Sequence, residues 1–226
     1  MSFSWVPIYR ELAKTILAYR DRQPELLEML REARLKGLKV MNVVDEGPKA
    51  RHAIDPFSFF AAFNRGQTFD NRRKIITFFQ GRLGLETNAP SDFDGIPIAD
   101  NRSSFFVGYS SKSILEDIAC LWDMAFDAYH KTAEEITPSL FDKCLQIKCV
   151  SATNLTMGCF WINPEGFLAL DGCNRAYFNK NHSIDLTASS HADYVALLAK
   201  VHEVMHDSYL DISFAAYNDR ESTSTS

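Results

Sequence analysis

Apolar residues return every third or fourth position through one segment after another, and this spacing limits the fold more than any other feature. It gathers apolar side chains on one side of an α-helix, whereas a strand alternates them. Residues 113–129 are the clearest case, with Ile114, Ile118, Leu121, Trp122, Ala125 and Phe126 on one face. Residues 5–22 repeat the pattern through Ile8, Leu12, Ile16 and Tyr19, with Pro7 early in the helix where proline is tolerated. Pro24 opens a second helix that buries Leu26, Leu27, Leu30 and Ala33 and stops at Gly37. Asp55-Pro56 before a Phe-rich run reads as a capped start, and Gly66 is placed to end that helix. Residues 70–85 form a helix with Ile75, Ile76, Phe79 and Leu83 inward and Arg72, Arg73, Lys74 and Arg82 outward. Helices are also expected over 139–149 and 193–209.

Three pieces resist this pattern. The stretch from Ser103, SSFFVGY, leans towards a short strand. TMGCFWI, within 154–178, is a strand or a buried helical turn, and periodicity cannot choose for so short a run. Residues 88–97 are rich in turn formers. The expectation is a mainly α fold with a few short strands: one compact helical domain over 1–217 and a polar, frayed tail over 218–226.

With 46% apolar and 23% charged residues, the chain has the balance of a soluble globular protein. Its 17 phenylalanines predict an aromatic core. No apolar run approaches the roughly 20 residues of a membrane span, and no basic-then-apolar leader opens the chain. No membrane partner and a cytoplasmic location are therefore expected. Five cysteines, an odd number without a CxxC pair, argue against a disulfide framework or a cysteine zinc site. The net charge of −5 excludes a protein coated in positive charge but not a local basic groove. Residues 31–52 carry six Lys or Arg against three acids.

The sharpest local motif is His202-Glu203-Val204-Met205-His206, a match to HExxH. On a helix the two imidazoles share a face and can hold one zinc, with Glu203 polarising a bound water. The extended pattern fails, because Tyr209 and Ile212 stand where a glycine and a third histidine would be. The plainer reading is an amphipathic helix with Val195, Leu198, Val201 and Met205 inside and His202, Glu203 and His206 in solvent. No phosphate loop is present, since Gly108-Tyr-Ser-Ser-Lys112-Ser113 lacks the second glycine. No cofactor is expected.

The remaining polar candidates form a constellation. Asn64, Arg65, Asp94, Asp171, Asn174 and Arg175 accompany Phe160 and Trp161. Read structurally, the aspartates cap turns, the aromatics are core and the arginines pair with the carboxylates. Read functionally, guanidinium groups hold phosphates while an aromatic stacks on an extruded base.

These blocks carry a family resemblance. Trp5-Val-Pro-Ile-Tyr-Arg-Glu-Leu, Ile54-Asp-Pro-Phe-Ser-Phe-Phe with Phe63-Asn-Arg-Gly, Asp92-Phe-Asp-Gly-Ile-Pro, Leu121-Trp and 154–164 with Leu170-Asp-x-x-Asn-Arg175 occur in an order that resembles the N-terminal region of McrB-type AAA+ GTPases. Those proteins are the motors of modification-dependent restriction systems. The resemblance implies a non-catalytic DNA-recognition module in antiviral defence that selects DNA, often with modified cytosine, with the motor and a nuclease subunit supplied in trans; the chemistry of the aromatic and polar residues adds the expectation that the base is read by extrusion. The residues expected to touch nucleic acid are Asn64, Arg65, Arg72, Arg73, Trp161, Asn174 and Arg175, backed by the basic stretches 36–51 and 72–82. The alternatives are a zinc hydrolase using His202, Glu203 and His206, and an adaptor that docks other defence subunits.

Overall fold

The computed structural model describes residues 3–43, 50–100, 105–108 and 114–224, and among them ten helices and no sheet. The first five are α1 (Trp5–Leu17), α2 (Gln23–Leu35), α3 (Pro56–Ala61), α4 (Phe69–Leu83) and α5 (Ile114–His130). The others are α6 (Pro138–Leu145), α7 (Ala152–Ile162), α8 (Gly172–His182), α9 (His191–Val204) and α10 (Tyr209–Ser224). The mainly α reading holds. No helix of the described residues is long and apolar enough to cross a membrane.

Four helices, α1, α3, α5 and α7, each touch the other three and enclose the core. Around them α2 packs on α4, α6 bridges α5 and α9, and α8 pairs with α10. The phenylalanines do as expected: Tyr9, Phe59, Phe60, Phe63 and Phe79 meet one another with centroids 5.1–6.5 Å apart. Offset and edge contacts of this kind add to simple burial. All of α3 is buried. Its start is fixed by Asp55, which accepts from Ser58 N at 2.8 Å and Ser58 Oγ at 2.6 Å, so a buried carboxylate has partners on both oxygens. Cys120, Cys144 and Cys159 are buried, and all five cysteines are free thiols.

Several expectations are corrected. TMGCFWI is the body of α7, in which only Thr153 and Asn154 escape burial. A helix apolar on every side gives no periodic signal because every side is packed. Ser151 and Asn154 close a reciprocal capping box that starts it. The strand expected in SSFFVGY is absent over 105–108, and the rest of that segment lies outside the described residues. The nearest thing to a ladder is an isolated bridge between Arg65 and Ala99. Gly66 does not end α3, which stops at Ala62 with right-handed φ −57°. The helix expected over 193–209 breaks at Met205, which is extended at φ −139°, ψ 127°. Ser208 then restarts the chain, its Oγ accepting from Asp211 N at 3.2 Å. Residues 218–224 continue α10 rather than fraying, and Lys180 Nζ meets Asp219 at 2.8 Å.

Residues 92–99 stitch the parts together. Asp92 N donates to Ser4 Oγ at 2.9 Å, and Trp5 Nε1 donates to Asp94 O at 3.0 Å. Gly95 sits at φ +69°, and a Cβ there would lie 2.9 Å from the backbone N of Phe214, so only glycine lets the turn press against α10.

Candidate nucleic-acid interface

The expected site does not assemble as one surface. Trp161 is 1% exposed, and its Nε1 donates to Pro97 O at 3.0 Å. It is a core residue, and neither face is open to a base. Asn64 is fully buried, its Oδ1 accepting from Tyr9 Oη at 2.7 Å and its carbonyl from Ala99 N at 2.8 Å. Asn174 is also internal, with Nδ2 donating to Ala169 O at 2.8 Å and Ser213 Oγ at 3.1 Å. Asp171 caps α8 by accepting from Asn174 N at 3.1 Å. Arg175 is half-buried, and its Nε donates to Leu186 O at 3.1 Å, which ties α8 to the following segment. Asn64, Trp161 and Asn174 are therefore buried within the fold and form no open surface.

Arg72 is corrected as well. It is 5% exposed, lies 5.0 Å from the Phe93 ring centroid and reaches Arg65 O at 3.5 Å. Burial pulls its guanidinium below the ordinary range, while the charge fields of Tyr9 and Tyr217 act the other way. The sequence held the signal. Arg72 precedes Ile75, Ile76 and Phe79 by three, four and seven positions, which places it on their face.

Arg65 and Arg73 do reach the surface, and other cations join them. Thr68 Oγ1 accepts from Asn71 N at 3.3 Å and starts α4. Asn71, Lys74 and Phe78 form a stripe along that helix at spacings of three and four. The chain leaving α2 lies on this stripe: Lys39 N donates to Asn71 Oδ1 at 3.3 Å, and Lys36 Nζ lies 5.7 Å from the Phe78 ring centroid. Lys36, Lys39 and Lys74 are thereby brought to one region. Arg34 Nη1 donates to Val40 O at 3.2 Å and stiffens the turn between α2 and this segment. A groove of about 440 Å³ runs between Arg34, Lys39, Arg65 and Gln67. A second, of about 690 Å³, continues past Arg34 to Arg31, Leu35 and Asn42.

Two acids nearby are engaged, whereas Asp70, one turn before Arg73 and Lys74, is exposed. Glu28 pairs with Arg31 at 3.3 Å, and Glu32 takes Arg82 on two oxygens at 3.0 and 3.3 Å. Hydrogen bonding to Arg82 holds the Glu32 carboxyl below its ordinary range. Among the described residues, Arg34, Lys36, Lys39, Arg73 and Lys74 form no ion pair. The basic stretches 36–51 and 72–82 thus converge in part, although Val44 to Lys49 lie outside the described residues. Sequence reasoning had missed Arg34 and Gln67, because the turn that brings α2 to Arg65 leaves no local pattern. It also missed Phe69, the first residue of α4, which is 44% exposed and one turn before Arg73.

The histidine motif loses its shared face. α9 ends at Val204, so His206 lies beyond the helix. His202 Nε2 is 3.0 Å from Tyr209 Oη. Among the described residues no three His, Cys, Asp or Glu side chains gather as metal ligands.

Comparison with known proteins adds one match: a family model described as a domain of unknown function (DUF8425) covers residues 5–219. No curated protein and no solved structure matches the chain.

Proposed function

The chain belongs to the DUF8425 family, and from its surface chemistry we propose that it is a non-catalytic DNA-recognition module that holds phosphates on the α2–α4 face. The observation that carries this is the gathering of Arg34, Lys36, Lys39, Arg73 and Lys74, with no carboxylate partner among the described residues, on a chain of net charge −5. In an acidic protein, like-signed groups brought to one face lower the potential energy of a polyanion there and speed its approach. Phosphate contacts position a nucleic acid without reading it. Phe69, exposed beside Arg73, supplies the stacking surface that Trp161 does not.

The blocks that resemble McrB-type N-terminal regions support a place in a restriction system in the cytoplasm. The module would select modified DNA, and an AAA+ GTPase with a nuclease subunit would act on it. Fluorescence anisotropy with methylated and unmethylated duplexes tests the binding step. Arg73→Glu with Lys74→Glu is expected to weaken binding to both duplexes about tenfold or more, while Lys200→Glu on α9 leaves it unchanged. Equal affinity in all three proteins would overturn the assignment of the face.

A further inference from the structure

One side-chain amide ties two segments together on the α2–α4 face. Asn71 Oδ1 accepts from Lys39 N at 3.3 Å, and Asn71 Nδ2 donates to Gln67 Oε1. Gln67 is held in turn through its Nε2, which donates to Phe63 O at 3.4 Å. Arg34 Nη1 donates to Val40 O at 3.2 Å, so its guanidinium is fixed against the segment that carries Lys39. The groove of about 440 Å³ lies between these tied walls, with Gly37 and Gly66 beside Arg34, Lys39, Arg65 and Gln67. Among the described residues no Asp, Glu or His lines it, and Asp70 is not part of its wall.

The groove presents donors. Arg34 and Lys39 are exposed and form no ion pair among the described residues. The N–H groups of Gly66 and Gln67 have no backbone acceptor among the described residues. Both residues shortly precede Phe69, where the 15-residue α4 begins, so they stand at the positive end of its dipole. Arg72 touches the same wall from inside: it is 5% exposed, and its Nη2 reaches Arg65 O at 3.5 Å. Arg72 forms no ion pair among the described residues, although a buried charge is ordinarily paired. Its field therefore adds to those of Arg34 and Lys39.

We propose that this groove binds a phosphomonoester, the doubly charged end group of a nucleotide, with its oxygens shared between Arg34, Lys39 and the backbone amides of Gly66 and Gln67. The proposal rests on the reading of the α2–α4 face as a holder of phosphates and gives that face a preferred group. A monoester carries about 1.5 to 2 negative charges at pH 7 and three acceptor oxygens. Each phosphodiester inside a strand carries a single charge. A site with several donors and no lining acid gains most from the group with the larger charge. Two sources share this chemistry: a free nucleoside monophosphate, and the phosphorylated end of a DNA strand.

The test is calorimetric titration of the full chain with cytidine 5′-monophosphate, inorganic phosphate, dimethyl phosphate and cytidine, together with anisotropy on one duplex carrying or lacking a 5′-phosphate. The expected result is saturable binding of at least one monoester probe, about tenfold or more tighter than its diester or unphosphorylated counterpart. Arg34→Gln combined with Lys39→Gln should weaken that binding about tenfold or more, while Lys200→Glu leaves it unchanged. Affinity should also fall between about pH 7.5 and 5.5, as the second proton returns to the monoester, a change dimethyl phosphate does not share. Cytidine 5′-monophosphate binding well above inorganic phosphate identifies the free nucleotide, and a gain confined to the phosphorylated duplex identifies the strand end. The proposal is overturned if no monoester outbinds its counterpart, or if the double variant binds it unchanged. Salt-sensitive duplex binding without any gain from a terminal phosphate removes this proposal and leaves the face, whereas loss of both removes both. Should the double variant fail to fold, Lys39→Gln alone decides, because that ammonium has no partner among the described residues.

Discussion

Arg72 and Arg73 are neighbours in the chain with opposite fates. Arg72 faces inward with Ile75 and Ile76 and stacks on Phe93, while Arg73 points to solvent. Buried charges can often be replaced by apolar residues of similar volume at no loss. Arg72→Met is therefore expected to leave the melting temperature level or raise it and to leave DNA affinity unchanged. A DNA-binding loss in a stable Arg72→Met protein would place that guanidinium on the ligand instead. Trp161 makes the same point from the other side. Truncating a buried tryptophan costs about 3–5 kcal/mol, and its indole also satisfies Pro97 O. Trp161→Ala should lower denaturant stability by that amount, as chemical unfolding would read directly. A variant that keeps its stability but loses binding would contradict the core placement.

At the scale of elements, periodicity revealed the helices that have one wet side and failed where packing surrounds the helix. α1, α2, α4 and α5 lie close to the positions their spacing predicts. α7 does not announce itself, because α1, α3 and α5 all press on it. Its Gly158 shows how tightly: a Cβ would come within 2.5 Å of Phe57 Cδ1 on α3. Overpacking of this kind costs about 1–3 kcal/mol, so Gly158→Ala is expected to destabilise the protein by that amount in urea unfolding. The break at Met205 was equally hidden, since the heptapeptide around it holds neither glycine nor proline. The candidate site was legible only in part. The excess of cations over 31–52 was visible, but the tertiary turn joining Lys39 to Asn71 was not, and of the expected constellation Asn64, Trp161 and Asn174 are buried while Arg65 reaches the surface.

The whole molecule is acidic, and several carboxylates are tied into its structure. Glu11 on α1 accepts from Glu86 N and Thr87 N, each at 2.8 Å, and joins α1 to the chain after α4. Hydrogen bonds from Thr87 and Glu86 hold its carboxyl below the ordinary 4.5. A depressed carboxylate stabilises the fold above its unfolded pKa, and that contribution fades as pH falls through the lower folded value. Melting temperature should therefore fall below about pH 4.5 less steeply in Glu11→Gln than in the parent protein. A parallel fall in both would deny the bond any role in acid stability.

On a protein of net charge −5, the proposed binding of a polyanion depends on the local array of cations at the α2–α4 face. Each phosphate contact releases counterions and adds about 0.9 to the slope of log affinity against log salt on duplex DNA. The most direct measurement is that slope for the parent protein and for Lys39→Glu combined with Arg73→Glu. The proposed binding face predicts a steep slope in the parent and one shallower by about two units in the double variant. A slope that is identical in the two proteins, or binding indifferent to salt, would contradict it.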